Sequence, residues 1–252
     1  MIPNIFHLCF IIEKDSDSMP FSLVHYIAIK SAYEVNKPDV INFYYNEEPK
    51  GEWWERAKDY LSLIQIEPPE EIFGNKLYHP AHKCDIIRLR VLIEHGGIYL
   101  DMDTICKKPF TDLLKYNFVM GKQGKWRRMG LGNSVMLSEK NSEFAKEWLK
   151  AYKTFRSKGK DKYWAEHSIA YPLKLAKKLK DKIHIVKYNR FHYPLYYPLS
   201  LKRLFVFCND YEEAYCHHLW QGASWEKYLK NLNVDDIKSK DTAYNIIARR
   251  FI

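Results

Sequence analysis

No stretch of this 252-residue chain is long and apolar enough to cross a bilayer as a helix, which takes about 20 mostly apolar residues. The longest opening run, Phe6 to Ile12, is far shorter and has no basic leader or cleavage site before it. It reads as a first strand, not a signal, and the chain is expected to be soluble. Cysteine is scarce and unpatterned. Cys9, Cys84, Cys106, Cys208 and Cys216 are odd in number and include no C-x-x-C pair. That argues against a disulfide framework and fits a reducing compartment. Cys208, Cys216 and His217 match no structural zinc spacing. RNA-binding and helix-turn-helix signatures are missing, and the lysines are dispersed, so nucleic acid is not an expected partner despite a net charge of +9. No internal repeat or linker marks a domain boundary.

What is there is globular. Hydrophobic residues make up 46 % and aromatics 15 % of the sequence, enough for one domain over residues 1–252 with a real core. Phe21, Val24, Ala28, Ala32 and Val35 recur at nearly helical spacing behind Pro20, which predicts a helix. Val40 to Tyr45 is a β-branched and aromatic run that predicts a second strand. Trp53 to Leu63 reads as helical, and Glu67-Pro68-Pro69-Glu70 ends that unit. Pro80 starts a helix that runs to about His95, where Gly96-Gly97 stops it and Ile98 to Leu100 follows as a strand. This alternation implies an α/β sheet that is mostly parallel, with ligands at the carboxyl ends of its strands.

The second half is less regular. Phe118 to Met120 and Ser134 to Leu137 read as short strands flanking a basic loop, Lys122 to Arg128. Phe144 to Phe155 and Tyr163 to Leu179 read as helices, the latter interrupted at Pro172. Ile183 to Tyr188 reads as a strand, with an aromatic loop, Phe191 to Pro198, behind it. Asp241 to Ile252 predicts a basic amphipathic helix that packs as a closing element.

The chemistry is most legible in Ala81 to Phe110, AHKCDIIRLRVLIEHGGIYLDMDTICKKPF. Asp101 and Asp103 lie one residue apart, just after the apolar run Ile98-Tyr99-Leu100. Two adjacent carboxylates repel, and one takes up a proton unless a cation neutralises the pair. A divalent cation does so through oxygen ligands and leaves an open side for phosphate. In an extended segment residues i and i+2 face the same way, so the two acids are expected to converge while Met102 points elsewhere. The plain alternative is a solvated strand end, where Asp is common. Asp85 and Arg88, one turn apart on the preceding helix, share a face; their plain alternative is an intrahelical ion pair.

The string Cys84 to Thr104, C-D-I-I-R-L-R-V-L-I-E-H-G-G-I-Y-L-D-M-D-T, resembles the signature of the DXD-containing sugar-transferase family. That family includes yeast initiating mannosyltransferases, lipid galactosyltransferases and the large clostridial glucosylating toxins. Cys84 stands where the family usually has Ser. Ile2-Pro3-Asn4-Ile5-Phe6-His7 is similar to its opening strand, and His217-His218-Leu219-Trp220 with Ser224-Trp225 to its closing H-L-W…S-W element. The resemblance implies a GT-A type, Rossmann-like nucleotide-sugar-binding domain with helical additions. Its nucleotide-binding half would be about 1–110 and its acceptor half about 111–252.

It further implies a retaining, metal-dependent transferase. Such an enzyme moves a hexose or N-acetylhexosamine from a nucleoside-diphosphate sugar, UDP before GDP, to a glycan, lipid-linked or protein hydroxyl. Mn²⁺ is the expected ion, Mg²⁺ a substitute, held by Asp101, Asp103 and His218, with His217 open as the alternative histidine. Asp85, Arg88, Asp101 and Asn133 would be catalytic. Donor contacts would come from His7, Asp85, Arg88, Tyr99, Asp101, Asp103, Trp220 and Trp225, with the nucleobase near His7 to Phe10. Arg127 and Arg128 would either meet an anionic acceptor or simply be exposed. Many relatives have Gly-Pro where this chain has Ala165-Glu166-His167-Ser168; Glu166 either shapes the acceptor pocket or lies beneath the sugar. The expected setting is surface polysaccharide or glycan synthesis in the cytosol, in part peripheral to a membrane. Two rivals are a haloacid-dehalogenase-type phosphatase, which wants Thr or Val where Ile105 stands, and a binding relative that has lost turnover.

Overall fold

The computed structural model describes residues 1–12, 20–124 and 130–252. Its frame is a seven-stranded sheet. The strands, in chain order, are β1 Ile5–Phe10, β2 Val40–Tyr45, β3 Ser62–Gln65, the small hairpin β4 Glu71–Ile72 and β5 Asn75–Lys76, β6 Gly97–Leu100, β7 Thr104–Cys106, β8 Phe118–Lys122, β9 Leu131–Ser138, β10 His184–Val186 and β11 Cys216–His218. Across the main sheet the order is β10-β8-β9-β6-β1-β2-β3. All neighbours are parallel except those of β9, which runs against both β6 and β8. A GT-A type α/β sheet was expected, and this mostly parallel sheet with flanking helices is one.

Alternation along the strands explains why the sheet is covered on both sides. Phe6, Leu8, Ile41, Phe43, Ile98, Leu100, Val135 and Leu137 face one apolar layer. The residues between them, Cys9, Tyr44, Tyr99 and Met136, face the other. Helix α1, Leu23–Asn36, and the C-terminal helices pack into the first layer. Helices α3, Pro80–His95, α4, Glu143–Ala151, and α5, Tyr171–Lys178, cover the second. Between β2 and β3 runs α2, Glu52–Ala57. The closing helix Ala243–Ala248 buries Tyr244 and Ile247, and the 3-10 turn Arg249–Phe251 after it buries Phe251, as expected of a packed element.

Some expected elements shift. The helix read over Trp53 to Leu63 stops at Ala57, and Ser62–Gln65 becomes the edge strand β3, whose exposed side chains carry no alternation. Ile183 to Tyr188 shortens to β10, and Pro198–Phe205 within the aromatic region is a helix. Asn133 sits in β9.

Candidate functional site

Four parallel strands, β6-β1-β2-β3, end on the same side, and the chain crosses from β1 to β2 in one direction and from α3 into β6 in the other. A crevice opens where such directions diverge. Asp101 follows β6 directly at this point. Its position depends on the glycine pair before it. Gly96 and Gly97 take φ of +71° and +104°, and a Cβ on Gly97 would lie 2.4 Å from the Ile5 carbonyl oxygen. Only glycine allows both the turn and the close packing of β6 on β1.

The strand ends at Leu100, so Asp101 and Asp103 converge through a turn and not through an extended segment. Met102 points elsewhere, into the apolar layer. The third member arrives from 115 positions along the sequence, because β11 pairs antiparallel with β7 and sets His218 opposite Thr104. His218 Nε2 lies 3.1 Å from Asp103 Oδ1 and 3.9 Å from Asp101 Oδ2. One donor atom from each of the three residues falls within 4.8 Å of the others, and no further such group of His, Cys, Asp and Glu occurs among the described residues. The backbone N–H of Gln221 donates to Asp103 Oδ2 at 2.6 Å.

The electrostatics show a site built around positive charge. Burial opposes ionisation of Asp103, yet the charge and hydrogen bond of His218 outweigh it and hold its pKa below the usual value. Burial likewise opposes a charged His218, and Asp103 overrides it so that its pKa is raised. A divalent ion fits this donor set of two carboxylates and an imidazole, and it would replace the proton on His218. Nearby His25 is pushed down to about 4, chiefly by burial, and its neutral ring contacts Gln221 Oε1 at 3.3 Å.

Arg88 ties the acids to the helix. Its Nη2 lies 3.2 Å from Asp101 Oδ1 and its Nη1 donates to the Asn133 carbonyl at 2.8 Å. The guanidinium lies 4.5 Å over the Tyr99 ring, whose hydroxyl donates to Asp101 at 3.0 Å. Asn133 Nδ2 donates to Asp85 Oδ1 at 2.7 Å, and burial raises the Asp85 pKa against the pull of Arg88. Asp85, Arg88, Tyr99, Asp101 and Asn133 thus form one connected network rather than an isolated helical ion pair.

Two clefts meet at this network and share Ala81, Arg88 and Asp101. One, of about 580 Å³, is lined by Cys9 to Ile12, His25, Tyr99, Met102, Asp103, Lys160 and Gln221. The other, of about 520 Å³, is lined by His82, Asp85, Asn133, Ser168, Trp164, His192, Tyr196, His218 and Trp220. Both are in the size range of small-molecule sites.

Several expected residues lie elsewhere. His7 is fully buried, bonded to the Gly96 carbonyl at 2.8 Å and to Tyr44 Oη at 3.1 Å, and lines neither cleft; Cys9 and Phe10 of the same strand do. Trp225 packs in the apolar core. His217, the neighbour of His218, points to the opposite face and pairs with Asp210 at 2.6 Å. Glu166 is bound by Arg156 at the surface, and His167 by the Ala151 carbonyl; neither lines a cleft. Arg127 and Arg128 lie outside the described residues. Conversely, His25, Lys160, Trp164 and Tyr196 were not expected, since none carries a motif signal of its own, and Gln221 was passed over although it lies inside the H-L-W…S-W element.

The fold and site together define a glycosyltransferase of GT-A architecture. Residues 8–120 match the family model described as a glycosyltransferase sugar-binding region containing the DXD motif. Glucan organizing enzyme 1 of Cryptococcus neoformans is 31 % identical over 267 residues, covering 100 % of this chain and 71 % of that protein. The chain belongs to this DXD-containing glycosyltransferase family. The yeast (Saccharomyces cerevisiae) mannosyl phosphorylinositol ceramide synthase SUR1 is 32 % identical over 94 residues, 37 % of this chain and 22 % of its own length. Among solved structures, the apo-form glycosyltransferase GlyE of Streptococcus pneumoniae shares the fold with a TM-score of 0.54 at 15 % identity, over 98 % of this chain and 62 % of that one. Mouse xyloside xylosyltransferase 1 does so at 0.51 and 11 %, over 87 % and 99 %.

Proposed function

We propose that this glycosyltransferase moves a hexose or N-acetylhexosamine from a nucleoside-diphosphate sugar, UDP before GDP, with retention of anomeric configuration. The observation that carries this reading is the convergence of Asp101, Asp103 and His218 where the two clefts join. Mn²⁺, or Mg²⁺ in its place, would be held by these three residues and would act as a Lewis acid on the departing diphosphate. The rest falls to the chain's own groups. The cleft beyond Cys9 and Phe10 takes the nucleoside, with Tyr99 beneath it. Arg88 offers its charge toward the diphosphate while pairing with Asp101. Asp85 and Asn133, already paired, accept and donate hydrogen bonds to hydroxyls of the transferred sugar. With Glu166 held at the surface by Arg156, we assign no carboxylate nucleophile and favour departure and attack on one face.

The second cleft receives the acceptor hydroxyl, on a glycan, a lipid-linked sugar or a protein. Trp164 packs at 4.6 Å on His82 along one wall, and Trp220 and Tyr196 pack at 5.4 Å along the other. Aromatic faces on both walls with Asp85, Asn133 and Ser168 between them suit a sugar ring, apolar on its faces and polar at its rim. We read residues 1–252 as one domain, with the donor half about 1–110 and the acceptor half about 111–252. The setting we favour is glycan or polysaccharide synthesis on the cytoplasmic side, peripheral to a membrane. No helix among the described residues is long and apolar enough to cross one. Support for membrane contact comes from residues 196–207, where Tyr196, Tyr197, Leu199, Val206 and Phe207 are all exposed. The stretch 187–207 carries Lys187, Arg190, Lys202 and Arg203 and no acid, and basic aromatic surfaces suit anionic lipid.

Thermal unfolding with UDP-, GDP- and CMP-sugars, with and without Mn²⁺, tests the donor assignment. Binding to the native state raises Tm. A rise that needs both Mn²⁺ and UDP, and is absent in Asp103→Ala, is expected. A folded protein that responds to no pair would remove the donor site and favour a relative that has lost donor binding.

A further inference from the structure

Cys9 and Cys84 meet in the wall of the donor cleft. Cys9 is near the end of β1 and Cys84 is in the second turn of α3. Their Sγ atoms are 3.7 Å apart, in van der Waals contact, and both residues line the cleft. Cys84 is the more accessible of the two, and Cys9 is buried behind it. The other cysteines lie elsewhere. Cys106 and Cys216 are register partners across β7 and β11, fully buried in the apolar core, and Cys208 is at the surface. Thiol pairs that are reduced at rest, and that include one accessible member, are where oxidants act selectively.

We propose that Cys9 and Cys84 form an oxidisable dithiol, a modification site for peroxide, and that its closure to a disulfide weakens nucleotide binding in the donor cleft. The Cys84 thiolate attacks the peroxide O–O bond, giving a sulfenic acid and hydroxide, which takes up the proton Cys84 released. The Cys9 sulfur then attacks the sulfenic sulfur. The S–S bond forms, the S–O bond breaks, and water leaves with the Cys9 proton. Two thiols and one peroxide give one disulfide and two waters; two electrons pass from sulfur to peroxide, and a dithiol reductant returns them. A disulfide needs about 2.05 Å between sulfurs, so closing the 3.7 Å gap draws together the two side chains, on the end of β1 and the start of α3. Arg88 receives that shift, because its Nε donates to the Cys84 carbonyl at 3.2 Å while its Nη2 faces Asp101.

The affinity part rests on the donor reading above, so binding and cross-linking are measured separately. The protein, wild type, Cys9→Ser and Cys84→Ser, is treated with hydrogen peroxide and compared with its own untreated sample. Peptide mapping without reduction reads the linkage, thiol titration reads its stoichiometry, and calorimetry reads UDP affinity in the presence of Mn²⁺. The expected result is a Cys9–Cys84 peptide, two thiols lost per chain, and UDP affinity down at least tenfold in the wild type. Dithiothreitol restores it, and both serine variants keep their own untreated affinity. A linkage without change in affinity overturns the proposal, as does oxidation confined to Cys208 or to Cys106 and Cys216. Untreated protein that binds no nucleotide removes the donor reading and the affinity effect together, while the peptide map still shows whether the dithiol closes.

Discussion

The two clefts, proposed for donor and acceptor, share Arg88 and Asp101 yet are assembled in different ways. The donor side takes half its lining from the ends of strands, Cys9 to Ile12 at the end of β1 and Tyr99, Asp101, Met102 and Asp103 at the end of β6, whose positions follow from a parallel ladder. Much of the rest comes from the start of α3. The acceptor side gathers α3, the start of β9, the turn around Trp164 and the aromatic region around Tyr196. These come from separate parts of the chain and are held by side-chain packing. A cleft on strand ends inherits the rigidity of the sheet and keeps one chemistry. One made of packed aromatics can change its occupant by substitution without disturbing the sheet. The difference predicts that donor and acceptor functions can be damaged separately everywhere except at the network they share.

The largest effect is expected on the donor side. Asp103→Ala leaves His218 and the Gln221 N–H without their carboxylate, and transfer is expected to fall by about 10³-fold, the upper range for removing one electrostatic group from a site. Circular dichroism should show the fold intact, and the drop should appear in kcat with any acceptor. At the shared network, Arg88→Ala should damage both clefts at once. It leaves Asp85 and Asp101 buried or half-buried without their cation, which costs about 3–5 kcal/mol for a buried pair. Chemical denaturation reads the stability, and equal loss with short and long acceptors would show that the clefts fail together. If only donor affinity suffers, the two clefts are less coupled than the geometry indicates.

On the acceptor side the effects should be smaller and selective. Trp164→Ala is expected to raise the acceptor KM about tenfold, the scale of one lost stacking contact of about 1.4 kcal/mol, with UDP affinity unchanged. A change in UDP affinity instead would dissolve the distinction between the clefts. Metal binding gives a pH test. The His218 pKa is raised in the ion-free protein because Asp103, against burial, favours the imidazolium. A metal must displace that proton, so Mn²⁺ affinity should fall as pH drops through the raised value, up to about tenfold per pH unit below it. Titration of Mn²⁺ between pH 5 and 9 checks this, and His218→Gln should flatten the dependence. The smallest effect on catalysis is expected outside both clefts, at Leu199 in the exposed apolar stretch 196–207. Leu199, 78 % exposed, contributes apolar surface worth about 1.5 kcal/mol or more when buried. Leu199→Glu should weaken binding to vesicles containing phosphatidylserine about tenfold, with hydrolysis of a soluble donor unchanged.

The residues that could be read from the sequence lie in regular local patterns. Val40 to Tyr45, the capped helix from Pro80, the glycine pair and the two acids each carry a signal within a few residues. Local physics also places Asp85 and Arg88 on one helical face. The shared wall of the two clefts was therefore legible. Trp164 and Lys160 were not, because a side chain that reaches a cleft from an irregular turn has no period. His7 misled for the same reason in reverse: its strand was correctly expected, but only the sheet register shows it turned toward the Gly96 carbonyl.

By itself, the sequence determined that the chain builds an α/β sheet and ends one of its strands in Asp101 and Asp103. It also determined that a histidine from the C-terminal element was available. Which histidine, and whether the acids would meet it, was decided by the three-residue pairing of β11 with β7. Successive strand residues face opposite sides, so that register sends His218 to the carboxylates and His217 to Asp210. A ladder this short has no local sequence signature. It forms because Leu219 N–H donates to the Asp103 carbonyl at 2.8 Å and because Cys216 and Ile105 bury their side chains in the core. Those are long-range contacts, and they exist only once the chain has folded.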